Sequence, residues 1–227
     1  DKGEDSNNLP SLIIKAREAD PNVANNIYPR EDILGESFSV FAAGHDTTQF
    51  TSVHLIKLLA IHQDIQDKLR DEILKLEASL DGKEPSAAQI SRCSYMSLVI
   101  KESQRVYVIA PFRIRQAIAA TSIGGYPIPK NTSVVIDLYS IHMNEKYFKN
   151  PEQFIPERWI GDPDLPFLTF GLGKRSCFGR KLALLEIKLM LYYLLKNYTI
   201  SSQNHNWNSG YITEENKLFV TLTKRQQ

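Results

Sequence analysis

The sequence is short of several things, and each shortage closes a class of function. Only two cysteines, Cys93 and Cys177, occur in 227 residues. Two thiols so far apart make no disulfide framework, and no Cys-x-x-Cys or His-x-x-x-His spacing offers a zinc site. A reducing compartment is the simplest reading, and one of the two thiols needs an explanation other than bridging. Charge of neither sign is in excess: 27 Lys and Arg against 26 Asp and Glu leave a formal net charge of +1. Nothing in that balance calls for nucleic acid or an acidic substrate. Long apolar runs are missing too. The best candidate, 182–195, is short and is broken by Glu186 and Lys188, so no segment is apolar enough to span a bilayer. The opening DKGEDSNN is polar with no apolar run behind it and predicts no N-terminal signal. Repeats and low-complexity tracts are absent from the sequence.

What is present is an ordinary globular composition, 42% hydrophobic and 23% charged, in a chain long enough for one substantial core or two small ones. Residues 1–10 read as a loop lead-in. A short helix over 11–19 is closed by Asp20-Pro21, and 22–28 is loop. Pro29 opens a long helix to about residue 62, with Glu31 and Asp32 in its first turn. Its apolar positions include Ile33, Leu34, Phe38, Phe41, Leu55, Leu58 and Leu59. Its middle, Ala43-Gly44-His45-Asp46-Thr47-Thr48, is poor helix material, so something other than propensity placed it there. Residues 63–80 form an amphipathic helix with Ile65, Leu69, Ile73 and Leu76 on one stripe. Another helix covers 94–106. Strands follow over 112–119, at Ile123, over 126–128 and over 133–138, with a turn at Gly124-Gly125. The stretch 144–176 is rich in Pro, Gly and aromatics and has no helical period; irregular segments of that length tend to be functional. A strongly apolar helix over 179–196 is followed by a tail, 199–224, of short strands around a Ser209-Gly210 turn. The fold class is mainly α with small β-sheets.

The segment Phe170-Gly-Leu-Gly-Lys-Arg-Ser-Cys-Phe-Gly179 carries the most chemistry. Gly171 and Gly173 let the backbone turn sharply and approach a flat partner. Cys177 precedes the 179–196 helix, where the helix dipole and unpaired N–H groups favour a thiolate, and Arg175 adds positive charge. A phosphate loop is excluded, because GxxxxGK[ST] is absent and GxGxxG would need Gly where Ser176 stands. A cysteine nucleophile would have only a distant His partner, since none occurs between 142 and 205. A plain loop with a buried Cys leaves the glycines, Arg175 and Phe170 unexplained. A thiolate presented on a glycine-rich loop suits a metal ligand or a nucleophile.

Phe-x-x-Gly-x-Arg-x-Cys-x-Gly resembles the haem-binding signature of the cytochrome P450 family, with Phe170, Gly173, Arg175, Cys177 and Gly179 at the fixed positions. The resemblance implies haem b (iron protoporphyrin IX) with Cys177 as axial iron ligand, Phe170 beside the thiolate and Arg175 on a propionate. Other stretches resemble the family in the same order. Glu102-Ser-Gln-Arg105 and Pro156-Glu-Arg-Trp159 are, taken alone, an exposed helix ion pair and an unremarkable loop. By the resemblance, Glu102, Arg105 and Arg158 form a buried charge triad that holds the irregular segment, with Trp159 in place of the commoner Phe. Residues 43–48 resemble the oxygen-binding helix, in which Asp46 and Thr47 would flank dioxygen and relay protons; His45 falls at the variable position. Arg115 is the expected second propionate ligand, with Arg113 as its alternative. The family often has Pro where Val108 stands here.

The resemblance spans residues 29–220 and corresponds to the C-terminal portion of the cytochrome P450 fold, so the whole of 1–227 is expected to be a partial domain. It implies a monooxygenase that inserts one oxygen atom from O2 into a small apolar organic substrate. Candidate pocket residues are Phe41, Ala42, Ile109, Pro111, Phe112 and Tyr211. It also implies an NADPH-dependent reductase as electron donor, for which Lys174, Arg180, Lys181 and Lys188 could form a basic face. For the full-length protein it implies the cytoplasmic face of the endoplasmic reticulum membrane, reached through an N-terminal anchor outside this chain. Two other classes remain: a haem-thiolate isomerase or dehydratase needing no O2, against which Asp46-Thr47 argues, and a non-catalytic fragment unable to retain haem.

Overall fold

The computed structural model describes residues 8, 11–12, 14–15, 19, 30–161, 164–202 and 219–225. Contacts divide the chain into two units, 1–49 and 50–227. In the first, the described positions of the expected 11–19 helix are helical, and α1 (Arg30–Ile61) begins with Glu31 and Asp32 in its first turn. The expected loops over 1–10 and 22–28 fall almost wholly outside the described residues. α1 runs unbroken through 43–48. The Thr47 hydroxyl donates to the Ala43 carbonyl one turn back, at 2.6 Å, so this Thr meets its polar demand inside the helix. Ile33 is buried, whereas Leu34, Phe38 and Phe41 are exposed.

The second unit holds the core. The end of α1 contributes Leu55, Leu58 and Leu59. α2 (Gln63–Ala78) contributes Ile65, Leu69 and Ile73, the stripe read from the sequence, with Leu76 partly buried beside them. α4 (Ser94–Val106) adds Met96, Val99 and Ile100, and α6 (Arg180–Asn197) adds Ile187, Leu191 and Leu195. Each such side chain contributes roughly 1.5–3 kcal/mol on burial, so this four-helix contact dominates the unit's stability. Two short helices escaped the periodicity reading. α3 (Ala87–Ser91) starts on a capping box between Ser86 and Gln89. α5 (Leu138–His142) starts where Asp137 accepts the Ser140 N–H at 2.9 Å.

β1 (Phe112–Gln116) pairs antiparallel with β4 (Ser133–Asp137), Ile114 opposite Val135. The first strand is three residues shorter than the sequence predicts. β2 (Thr121–Ile123) and β3 (Tyr126–Ile128) form a hairpin over Gly124 and Gly125, both at positive φ. β5 (Tyr198–Ser201) pairs with β6 (Thr221–Lys224); the predicted Ser209-Gly210 turn lies outside the described residues. Gln66 ties β5 to the helices. Its Nε2 donates to the Leu59 and Ile200 carbonyls at 2.8 Å, and its Oε1 accepts the Ile200 N–H at 2.9 Å. The irregular stretch contains two short 3-10 turns, Pro156–Trp159 and Gly173–Arg175.

Candidate functional site

Glu102 lies on α4 with its side chain fully buried. Its carboxylate accepts five hydrogen bonds. Two come from Arg105, at 2.8 and 2.9 Å, one from Arg158 at 2.8 Å, one from the Trp159 indole at 2.8 Å, and one from the Ile155 N–H at 3.1 Å. The spacing of Glu102 and Arg105 on one helix face makes the first pair, and the 3-10 turn at Pro156–Trp159 brings in the other side chains. The guanidiniums spend their remaining donors on backbone. Arg105 reaches the carbonyls of His142, Pro151 and Gln153; Arg158 reaches those of Lys149, Asn150 and Gln153. A chain with no helical period is thus held by charge-assisted bonds to its carbonyls.

His142, which sequence reasoning missed, extends this network. It is fully buried, its backbone carbonyl accepts from Arg105, and its Nε2 accepts the Leu168 N–H at 3.2 Å. Burial, aided by the nearby Arg105 cation, pushes its pKa down to about 4, so the ring is neutral and can accept. Its ring stacks on Phe167. Arg113 adds a second tie, donating to the Thr169 carbonyl at 3.0 Å.

Leu168 and Thr169 lead into the cysteine loop. Gly171 donates to the Leu168 carbonyl, and the Cys177 N–H donates to the Phe170 carbonyl, both at 2.8 Å. The loop closes only because Gly171 and Gly173 adopt φ of +70° and +68°. Gly179, the N-cap of α6, stands where a Cβ would lie 3.8 Å from the Cys177 sulfur. Cys177 is a free, exposed thiol; Cys93 is free but buried, and burial pushes its pKa up. Around Cys177 in sequence, Leu172, Phe178 and Leu182 are largely exposed.

A cytochrome P450 family profile matches residues 2–227. The chain belongs to the cytochrome P450 family. It is 33% identical over 228 residues to cytochrome P450 3A13 of Mus musculus, covering 95% of this chain and 45% of that protein. It is also 33% identical over 190 residues to the probable cytochrome P450 4ac2 of Drosophila melanogaster, covering 82% of this chain and 36% of that one. Among solved structures, the crystal structure of a cytochrome P450 (CYP102L1) superimposes with a TM-score of 0.78 at 26% identity, covering 89% of this chain and 46% of that chain. This P450 chain therefore spans less than half the length of these relatives. Its mainly helical fold with small antiparallel sheets is the family's.

The family's cofactor is haem, and the residues present suit it. No group of three or more His, Cys, Asp or Glu among the described residues is placed to hold a metal ion, so Cys177 offers a single sulfur donor. One thiolate is the right complement for an iron already held by porphyrin nitrogens. The exposed Leu172 and Phe178 supply apolar surface for a flat macrocycle. The Arg175 side chain makes no hydrogen bond or ion pair among the described residues, and the Arg115 guanidinium donates there only to the adjacent Ile114 carbonyl, so both retain donors for carboxylates.

Other residues expected at the site divide between the units. Asp46, Thr47, Phe41 and Ala42 lie in the first. Asp46 is exposed, with its carboxylate 3.0 Å from His45 Nδ1. Ile109, Pro111 and Phe112 lie in the second: Ile109 and Pro111 half-buried, Phe112 exposed. Tyr211 lies outside the described residues. The second unit contains a cavity of about 590 Å³, walled by α3, α4, α6, Phe167 and Phe170; none of Ile109, Pro111 and Phe112 lines it. One expectation is corrected. Lys188 cannot join an exposed basic face, because it is buried and donates to the Ser91 and Cys93 carbonyls and the Ser97 hydroxyl. Lys174, Arg180 and Lys181 are exposed.

Proposed function

We propose that this chain is the haem-thiolate portion of a longer monooxygenase that inserts one oxygen atom from O2 into an apolar organic substrate. The observation that carries the reading is the exposed Cys177 thiol on a glycine-closed loop, approached through the Glu102 network. Bound haem b supplies dioxygen activation and electron storage, with thiolate ligation favouring O–O cleavage. The chain's own residues bind and position. Cys177 would hold the haem iron through its sulfur, and Gly179, having no Cβ, leaves the space beside that sulfur open. The Phe170 carbonyl fixes the Cys177 backbone by its 2.8 Å bond. Arg115 and Arg175 hold the two haem carboxylates by charge-assisted bonds. Glu102, Arg105 and Arg158 keep the irregular segment in one conformation, acting on structure and not on the reaction.

Asp46 and Thr47 would hold water and pass protons toward the substrate side of the haem. Phe41, Ala42, Ile109, Pro111, Phe112 and Tyr211 supply apolar contacts for the substrate. Lys174, Arg180 and Lys181 face an acidic, NADPH-dependent reductase. The full-length protein works at the cytoplasmic face of the endoplasmic reticulum membrane; no helix among the described residues is long and apolar enough to cross a membrane. The test is turnover of the full-length, haem-loaded protein under isotopically labelled O2 with NADPH and a reductase. The product should carry one labelled oxygen. Turnover that proceeds without O2 and NADPH would instead mark a haem-thiolate isomerase or dehydratase.

A further inference from the structure

The cavity of about 590 Å³ in the second unit is of the size that holds small organic ligands, and its wall is oddly charged. Lys101, Arg180, Lys181 and Lys188 line it, and no Asp or Glu does. Lys188 is already engaged with two carbonyls and a hydroxyl. The other three make no ion pair among the described residues. Lys101 rests on aromatic faces instead, with its ammonium 3.8 Å from the Trp159 ring centre and 5.3 Å from that of Phe167. Arg180 lies over Phe170 in the same way, at 5.5 Å. Ring faces attract a cation only weakly compared with a carboxylate, and like charges sharing one wall repel. Burial and the Arg180 charge together push the Lys101 pKa down, which is the signature of a cation lacking an anion.

The rest of the wall is of two kinds. Gln104 is 4% exposed, and its Oε1 has no partner among the described residues. Leu184, Leu185 and Ala88 provide apolar surface.

We infer that this cavity binds a small amphiphilic organic anion. Its carboxylate or phosphate head lies against Lys101, Arg180 and Lys181, and its apolar body lies along Leu184 and Leu185. Binding replaces repulsion among three cations with charge-assisted hydrogen bonds and removes apolar wall from water. The site involves neither the thiol of Cys177 nor any residue of the first unit, but it shares Phe170, Arg180 and Lys181 with the haem loop and the proposed reductase face.

The test is calorimetric titration of the purified haem-loaded protein with decanoate, decyl phosphate, decanol and inorganic phosphate. Decanoate or decyl phosphate should bind saturably, and the arm that binds more tightly names the head group. Decanol, which lacks the charge, and inorganic phosphate, which lacks the tail, should each bind at least tenfold more weakly. Arg180→Gln with Lys181→Gln, both on exposed side chains, should weaken the preferred anion at least tenfold. Ala88→Phe should block it while leaving every charge in place. Anion binding that survives both the double variant and Ala88→Phe would place the ligand elsewhere and overturn the inference. Equal affinity for decanol or for inorganic phosphate, or no saturable binding of either amphiphile, would overturn it too.

Discussion

Glu102 accepts from two guanidiniums, an indole and a backbone amide with no solvent contact. Removing its charge leaves two arginines facing each other without their counterion, at a cost of about 3–5 kcal/mol. Urea unfolding of Glu102→Gln should show that loss. His142 supplies a second test at the same scale. Its folded-state pKa of about 4 lies below its ordinary value of 6.5. Between those values the unfolded chain takes up a proton that the folded chain refuses. Its contribution is therefore full above pH 6.5 and is lost as pH falls toward 4, by on the order of 3 kcal/mol in all. Comparison of His142→Gln, which keeps an acceptor, with the unaltered protein should isolate that slope: the unaltered protein should lose more stability between about pH 7 and pH 4.5. The two residues also differ in legibility. The Glu102–Arg105 spacing is readable because helix geometry puts the pair on one face, and Arg158 follows from resemblance. His142 has no motif: its role comes from burial and from an N–H contributed 26 residues later, which no local pattern carries.

Elements were legible in proportion to their periodicity. The sequence places α4 at 94–106, where the structure has it, and locates the ends of α1 and α2 within two residues. Short helices fared worse, since five residues hold too little period to read. Yet α3 had a local sign in Ser86 and Gln89, whose side chains exchange bonds with each other's backbone. Lys188 is the instructive miss. Its charge grouped it with Arg180 and Lys181, yet it lies three, four and seven residues from Leu191, Leu184 and Leu195 on the packed stripe of α6, where α3 sits and the carbonyls of Ser91 and Cys93 take its ammonium. Gln66 shows the same logic across a longer gap, because it satisfies both backbone groups of Ile200. Gln66→Leu should leave the Ile200 N–H buried and unpaired, while the Ile200 carbonyl keeps its 2.9 Å bond from Gln63 Nε2, costing roughly 1–3 kcal/mol. Hydrogen exchange at the Ile200 amide should accelerate by more than tenfold, while the amides of α4 follow only the global loss.

The whole chain spans less than half of its P450 relatives' length, and its surface is consistent with that. Phe112, Ile114, Leu172 and Phe178 are each more than half exposed in the second unit. Apolar side chains of that size, like the exposed Cys177 thiol, are surface that a bound partner would cover. The family was legible in one ten-residue loop, whose phenylalanine, glycines, arginine and cysteine stand at the fixed positions of its signature. The helix network that holds this loop was legible only in part, because its acceptors are mostly backbone carbonyls. The proposed function turns on Cys177. The direct measurement is the absorption spectrum of the reduced, carbon-monoxide-bound full-length protein, alongside Cys177→Ala. The unaltered protein should show the red-shifted Soret band of thiolate-ligated haem, and Cys177→Ala should lose it. Absence of that band in the unaltered protein, or its survival without Cys177, would contradict the account.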